Sequence, residues 1–383
     1  MTVRENIGMP DPAAEARDRF SDPGTWERTQ PQWSSGERKT LVCCRVRAET
    51  HDVRTFVFRA KDGHAFAFEP GQFITVSADI DGVPVSRCYT ISSPPTRPYT
   101  LSITVKRTPG GIMSSWLHGT MRPGVELNAY GPSGIFTPAA APAVKMLYLS
   151  AGSGVTPLMS MTRAAIDLGL NRDIVFVHSA RTPDDIIFRD ELNRLREDAD
   201  NLQVIHVCEA PGSEAGWCGP IGRLSVELLR RYVPDYRDRE VFTCGPSGYM
   251  NAVRDILVQG GHDPVRYHRE SFNFAETVEP LADVADASGH AEPVASGTYT
   301  VRLARSGKTF AINGTETVLT AARKAGVALP SSCSQGICGT CKTTVLDGTV
   351  DMHHNGGIRQ REIDKGLRLM CCSRPTSDLV LDL

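Results

Sequence analysis

The sequence predicts a multidomain chain: a small antiparallel β-barrel, an α/β domain built on a parallel sheet, and a compact cysteine-bearing domain at the C-terminal end. Three observations carry this reading. Short β-rich runs broken by turn residues fill residues 40–127. Apolar strands alternating with helical patterns follow over residues 146–243. A stretch rich in Ala, Glu, Pro and Ser then precedes the last segment, which holds five of the 11 cysteines.

Length and composition bound the rest. The 383 residues suffice for two to three domains with ample core. Apolar residues make up 40% and charged ones 22%, the balance of a soluble globular chain. A net charge of −2 gives no electrostatic case for nucleic acid or a membrane surface. No apolar run approaches a membrane-spanning length, and no signal-peptide pattern opens the chain. Unevenly spaced cysteines in a chain this long read as metal ligands in a reducing compartment, so a cytoplasmic location is expected.

In chain order, residues 1–38 form an arm rich in Pro, Asp, Arg and Glu with no apolar period. Its Trp26 and Trp33 are expected to pack on the neighbouring barrel. The barrel spans 39–140, with strands at 41–46, 55–58, 73–76, 99–105 and 124–127 and a turn at Glu69-Pro70-Gly71-Gln72. The α/β domain spans 141–275, with strands at 146–149, 174–177, 204–207 and 240–243 and a helix over 188–196. Residues 276–297 form a linker stiffened by its prolines. The last domain, 298–383, opens with a strand at 299–303 and a helix over 317–326 ended by Gly326.

That last domain carries the sharpest motif. Cys333, Cys338 and Cys341 are separated by four and then two residues, and a fourth cysteine follows at Cys371 or Cys372. This is the plant-type [2Fe-2S] spacing, in which one loop supplies three thiolates and a distant segment the fourth. Gly336 and Gly339 let the loop backbone approach the cluster. A zinc knuckle fits less well, because zinc pairs come as two separated units with His as the common alternative ligand. Residues 369–372 read as a strand, so only one of the adjacent cysteines points at the cluster.

Two further sites are legible. At the end of a barrel strand, Arg87 offers a bidentate fork for phosphate, Tyr89 an aromatic face on the same side, and Thr90 and Ser93 hydroxyls. Gly110 and Gly111 form a turn opening a helix with Ser114 in its first turn, and free amides there suit a phosphate. In the α/β domain, Gly152, Gly154, Thr156 and Pro157 lie between a strand and a helix, where backbone amides cradle a pyrophosphate. Cys244-Gly245-Pro246 ends a later strand, and Glu270-Ser271-Phe272 closes the domain. Arg181 follows the second strand and suits a 2′-phosphate, but Asp184 and Asp185 oppose it.

The Arg87-to-Thr90 and Gly110-to-Ser114 segments, with Gly152 to Pro157, Cys244 to Pro246 and Glu270 to Phe272, resemble the ferredoxin–NADP reductase superfamily. The cluster loop resembles that of plant-type ferredoxins. The resemblance implies a β-grasp fold for residues 298–383, and flavin binding by Arg87, Tyr89, Thr90, Ser93, Gly110, Gly111 and Ser114. It places Thr90, Cys244 and Glu270 at the reacting rings and Phe272 near the flavin. It favours Cys371 as fourth ligand, because 29 residues then follow Cys341. FAD is expected over FMN and NADH over NADPH. The implied activity is that of an NAD(P)H-dependent oxidoreductase, with electrons passing from NADH to flavin, to [2Fe-2S], and on to a partner protein. A Rieske-type oxygenase demethylating a quaternary-ammonium compound is the expected partner. Reduction of a hybrid-cluster protein and a redox sensor without steady turnover are the alternatives.

Overall fold

The computed structural model describes residues 32–33, 38–140, 143–213, 216–271, 297–327, 329, 336, 339, 341–354, 357–358 and 360–383. The first domain contains β1 (Gln32–Trp33), β2 (Arg38–Ala48), β3 (Val53–Ala60), β4 (Ala65–Phe66), β5 (Phe73–Ile80), β6 (Val83–Thr90), β7 (Leu101–Lys106) and β8 (Glu126–Ser133). Six of these form one antiparallel sheet in the order β6-β5-β8-β2-β3-β7. Large apolar side chains, among them Phe56, Phe58, Ile74, Leu101 and Ile103, fill its concave side. The curl closes where Ile91 bridges Ile103 and the Ser92 N–H donates to the Ser102 carbonyl at 2.8 Å. β1 pairs with β4, and Trp33, only 2% exposed, meets Phe66 edge to face. The end of the arm is thus part of the barrel, while Trp26 lies outside the described residues.

The second domain is a parallel sheet of β9 (Lys145–Ala151), β10 (Asp173–Ala180), β11 (Leu202–Cys208), β12 (Glu240–Gly245) and β13 (Tyr267–Ser271). Its order is β11-β10-β9-β12-β13. The chain leaves β9 toward one edge and returns to its other side at β12, so a crevice opens at the carboxyl ends of these two strands. Helices Val155–Asp167 and Arg189–Asp198 cover the face carrying Tyr148, Phe176 and Phe242. Helices Val226–Tyr232 and Ser247–Gln259 cover the face carrying Leu147, Val177 and Val241.

Buried polar contacts fix this domain against the barrel. Arg163, 5% exposed, donates to both Glu191 carboxylate oxygens at 2.7 and 2.6 Å and to the Ser92 carbonyl. Ser160 donates to the Ser93 carbonyl at 2.8 Å, and Arg97 grips Asp167 with two bonds of 3.0 Å. Burial pushes the Glu191 carboxyl up, but Arg163, with Arg47 and Arg97 adding, holds it below its ordinary value. Arg163→Ala should therefore destabilise the protein by about 3 kcal/mol at pH 7 in denaturant titrations. A depressed carboxyl contributes stability above its unfolded pKa and loses it as pH falls through the folded one. The gap between wild type and variant should narrow below about pH 4.5.

The third domain contains β14 (Thr298–Leu303), β15 (Thr309–Asn313), β16 (Lys342–Asp347), β17 (Val350–Met352), β18 (Leu367–Leu369), β19 (Ser373–Pro375) and β20 (Leu379–Leu381). The main sheet runs β15-β14-β20-β16-β18, with β14 and β20 parallel. Helix Val318–Lys324, capped by the Thr317 hydroxyl, packs Val318, Leu319 and Ala322 onto it. This is the expected β-grasp arrangement. One local expectation is corrected. Residues 369–372 are not a continuous strand: β18 ends at Leu369, and the Cys372 N–H turns back to the Leu369 carbonyl at 3.1 Å. The turn forms because the chain wraps Cys341, whose carbonyl takes the Met370 N–H at 3.1 Å. The linker proper, with most of the arm, lies outside the described residues.

Candidate functional site

β6 alternates between two faces. Arg87 and Tyr89 lie on one, partly buried, and Cys88 and Thr90 on the other, both buried. The Arg87 guanidinium donates to the Ser86 carbonyl at 2.8 Å. Burial pushes the Tyr89 phenol up, so it stays neutral. Thr90 is 5% exposed, yet its hydroxyl has no hydrogen-bond partner among the described residues. Ser93 holds the loop after β6: its hydroxyl accepts the Ser102 N–H at 2.9 Å.

The glycine turn stands beside this strand, because helix Ile112–Thr120 packs against β5 and β6. Gly110 has φ +76°, and Gly111 is the N-cap without a side-chain cap. The Ser114 hydroxyl shapes the turn, donating to the Gly111 carbonyl and accepting the Thr108 N–H, each at 3.2 Å. The first-turn amides of a helix have no partner within it, and a phosphate site uses them.

The nucleotide loop sits in the crevice between β9 and β12. A Cβ on Gly154 would fall 2.2 Å from the Cys244 carbonyl oxygen, so the two backbones touch. Gly152 takes a left-handed φ of +52° to start the turn. Thr156 donates to the Ser153 carbonyl at 3.0 Å, and Pro157 occupies the first helical turn, where no N–H is needed. Gly245 and Pro246 lead from β12 into helix Ser247–Gln259. Arg181 instead points into solvent, 62% exposed, with its guanidinium on Asp185 at 2.8 Å.

Cys244 stands beside Glu270 in the register of β12 and β13. Glu270 is 9% exposed, and burial, with Cys88 adding, pushes its carboxyl up to about 8. Its Oε2 has no partner among the described residues. Burial, then Glu270, pushes the Cys244 thiol well up, so it remains protonated. The influence of Cys88 on Glu270 brings the barrel to the nucleotide domain here, with Thr90 on the same side of β6. The sequence reading missed Cys88; strict alternation along β6 is the signal that could have found it. Phe272 lies outside the described residues. Two buried polar atoms without partners, Thr90 Oγ1 and Glu270 Oε2, fit a bound ring that offers both a donor and an acceptor.

In the third domain Cys341 and Cys371 are buried side by side, with the Cys371 N–H 3.5 Å from Cys341 Sγ. The Gly336 N–H donates to Cys371 Sγ at 3.1 Å, the bond a thiolate ligand takes. Gly336 and Gly339 both have positive φ, at 69° and 72°. Cys372 turns away and contacts the Leu369 carbonyl at 3.7 Å. Cys333 and Cys338 lie outside the described residues.

Comparison with known proteins agrees domain by domain. Residues 43–137 match an oxidoreductase FAD-binding domain, 148–255 an oxidoreductase NAD-binding domain, and 301–376 a 2Fe-2S iron-sulfur cluster binding domain. In this order they define a nicotinamide-dependent flavin reductase that carries its own iron–sulfur domain. The chain is 44% identical over 358 residues to a glycine betaine monooxygenase reductase subunit of Pseudomonas aeruginosa, covering 92% of this chain and 97% of that one. It is 40% identical over 347 residues to a stachydrine N-demethylase reductase subunit of Rhizobium meliloti, covering 90% and 95%. The solved structure of phthalate dioxygenase reductase, titled a modular structure for electron transfer from pyridine nucleotides to [2Fe-2S], aligns with a TM-score of 0.53 at 28% identity, covering 90% and 98%. The chain belongs to this family of oxygenase reductase components. It is an oxidoreductase that works with FAD, a nicotinamide nucleotide and a [2Fe-2S] cluster. Among the described residues no helix is long and apolar enough to cross a membrane.

Proposed function

We propose that the protein takes electrons from NADH and delivers them singly to an oxygenase that acts on a betaine. The observation that carries the reductase chemistry is the meeting of Gly154, Cys244 and Glu270 at the β9–β12 crevice, where Cys88 of the barrel adds to the raised Glu270 carboxyl. The betaine rests on the two full-length relatives, since glycine betaine and stachydrine are both quaternary-ammonium carboxylates. These names favour an oxygenase partner over hybrid-cluster protein and over a sensor. A cytoplasmic location accords with the reduced thiols that the cluster needs.

In this reading Arg87 and the helix after Gly110 and Gly111 hold the FAD pyrophosphate, with Ser114 and Ser93 fixing the adjoining loops. Tyr89 covers the ring, and Thr90 donates to it. Gly152, Gly154, Thr156 and Pro157 cradle the nucleotide pyrophosphate. Cys244, Gly245 and Pro246 line the nicotinamide, Glu270 holds a proton beside it, and Phe272 belongs at the same end. When bound, FAD supplies the conversion between two-electron and one-electron transfer. Cys333, Cys338, Cys341 and Cys371 hold the cluster.

A carboxyl raised to about 8 is protonated at pH 7 and ionises as pH rises. Flavin reduction by NADH should therefore show an alkaline limb near pH 8, which Glu270→Gln removes. That variant should slow flavin reduction by about 100-fold in anaerobic stopped flow, and an unchanged rate would sink the assignment. Arg181, neutralised by Asp185, should leave NADH preferred over NADPH by at least about tenfold in kcat/KM. Arg181→Ala should change NADH use little; a wild-type preference for NADPH would contradict this. Pairing the protein with the oxygenases of the glycine betaine and stachydrine systems tests the partner. Betaine-dependent NADH consumption with neither would overturn it.

A further inference from the structure

One row of the parallel sheet is polar from edge to edge. The register sets His206 of β11 beside His178 of β10, His178 beside Ser150 of β9, Ser150 beside Cys244 of β12, and Cys244 beside Glu270 of β13. Residues paired across strands share a face. The row two residues earlier on that face is Val204, Phe176, Tyr148, Phe242 and His268, apolar except at its last strand. His178, Ser150 and Cys244 are each fully buried.

One link in the row is a hydrogen bond, and several of its buried polar atoms have no partner among the described residues. Ser150 Oγ lies 2.8 Å from His178 Nδ1. The two imidazoles meet edge to face with centroids 6.4 Å apart. His178 Nε2, both His206 nitrogens and Glu270 Oε2 have no partner among the described residues. A buried polar atom left without a partner costs about 1–3 kcal/mol, so the three imidazole nitrogens, which no bound ring reaches through Glu270, call for a purpose. At its outer end the His206 side chain lines a surface cavity of about 490 Å³, with Arg189, Arg196, Trp217 and Tyr232 around it and its own two nitrogens shielded from solvent. Burial pushes His178 down to about 3, and burial with Arg189 and Arg196 pushes His206 down to about 4. Both rings are therefore neutral near pH 7, each with one N–H and one lone pair.

We propose that Ser150, His178 and His206 extend Cys244 and Glu270 into a proton relay that drains the reacting site to the outer edge of the sheet. This rests on the placement of Glu270 at the junction of flavin and nicotinamide. The balance requires such an exit. The hydride taken from NADH is one proton and two electrons. NAD⁺ departs, the two electrons leave singly through the cluster, and the proton remains beside Glu270 in a buried site. A neutral imidazole accepts a proton at one nitrogen as it releases one from the other, so no charge is stored. The Ser150 hydroxyl exchanges its proton in the same way, and transfer between the rings requires a bridging water.

Stopped flow separates the steps, with flavin absorbance reading hydride transfer and a pH-indicator dye in weak buffer reading proton release to solvent. Ferricyanide serves as the acceptor. In Ser150→Ala and in His178→Asn, proton release should slow at least fivefold more than flavin reduction, on the order expected for losing one proton-transfer group. A second readout needs no turnover. Ring ¹⁵N shifts of His178 and His206 should show neutral imidazoles averaging between both tautomers at pH 7. Single locked tautomers on both rings, or proton release that keeps pace with flavin reduction in both variants, would overturn the relay. If Glu270→Gln slows proton release while the other two do not, the relay falls and the Glu270 assignment stands. If Glu270→Gln changes neither step, the assignment falls and takes the relay with it.

Discussion

Cys371→Ser is expected to abolish electron delivery to one-electron protein acceptors while leaving the flavin half of the molecule at work. The Cys371 sulfur lies beside Cys341 and receives the Gly336 amide, so a hydroxyl there loses both the thiolate and the bond that steadies it. The visible absorption and EPR signal of the cluster should disappear. Cytochrome c reduction by NADH should fall at least ~100-fold, about 2.7 kcal/mol in the barrier. Ferricyanide reduction should stay within about twofold of wild type, because the flavin and nucleotide sites are built from other domains. Cys372→Ser is the matched control. Its thiol turns to the Leu369 carbonyl, so the cluster signal should persist. Loss of the signal in Cys372→Ser and its survival in Cys371→Ser would reverse the ligand assignment.

Gly154→Ala should have the second large effect, and it isolates a steric cause. Gly154 has φ −64°, a conformation any residue adopts, so no backbone strain is added. The new methyl would lie 2.2 Å from the Cys244 carbonyl oxygen and 2.5 Å from the Gly245 nitrogen. Both are backbone atoms of a central strand and cannot rotate aside. The turn after β9 must part from β12, at a cost of about 3 kcal/mol, and the nucleotide crevice opens with it. Flavin reduction by NADH should drop about 100-fold, with a raised KM. Gly152→Ala offers the contrast. Its added methyl meets nothing within 4 Å, and only the left-handed φ of +52° penalises it. That variant should lose about 1 kcal/mol of stability and a few-fold in rate.

The legible parts of this chain are those set by local spacing. The cysteine loop, the glycine turns and the switch from short strands to alternating strands and helices are all written within a few residues. So is the alternation along β6 that separates Arg87 and Tyr89 from Thr90. The hidden parts depend on which strand lies beside which. Nothing near His178 in the sequence shows that β10 runs between β9 and β11, so the row from His206 to Glu270 has no local trace. Cys88 escaped for a related reason: its neighbour Glu270 comes from another domain. The Cys371–Cys372 pair shows a third kind of limit. Strand alternation predicts that the two sulfurs diverge, and they do, but a turn around Cys341 separates them. A turn imposed by a tertiary contact cannot be read from Leu369-Met370-Cys371-Cys372 alone.

The most direct test of the electron route is an anaerobic titration with NADH, followed at once by flavin absorbance and by EPR of the cluster. The account predicts that about one and a half equivalents of NADH, three electrons, bleach the flavin and bring up the signal of a reduced [2Fe-2S] centre, while in Cys371→Ser about one equivalent bleaches the flavin alone. A wild-type cluster that stays oxidised beside fully reduced flavin, or one that is reduced in protein stripped of flavin, would contradict it.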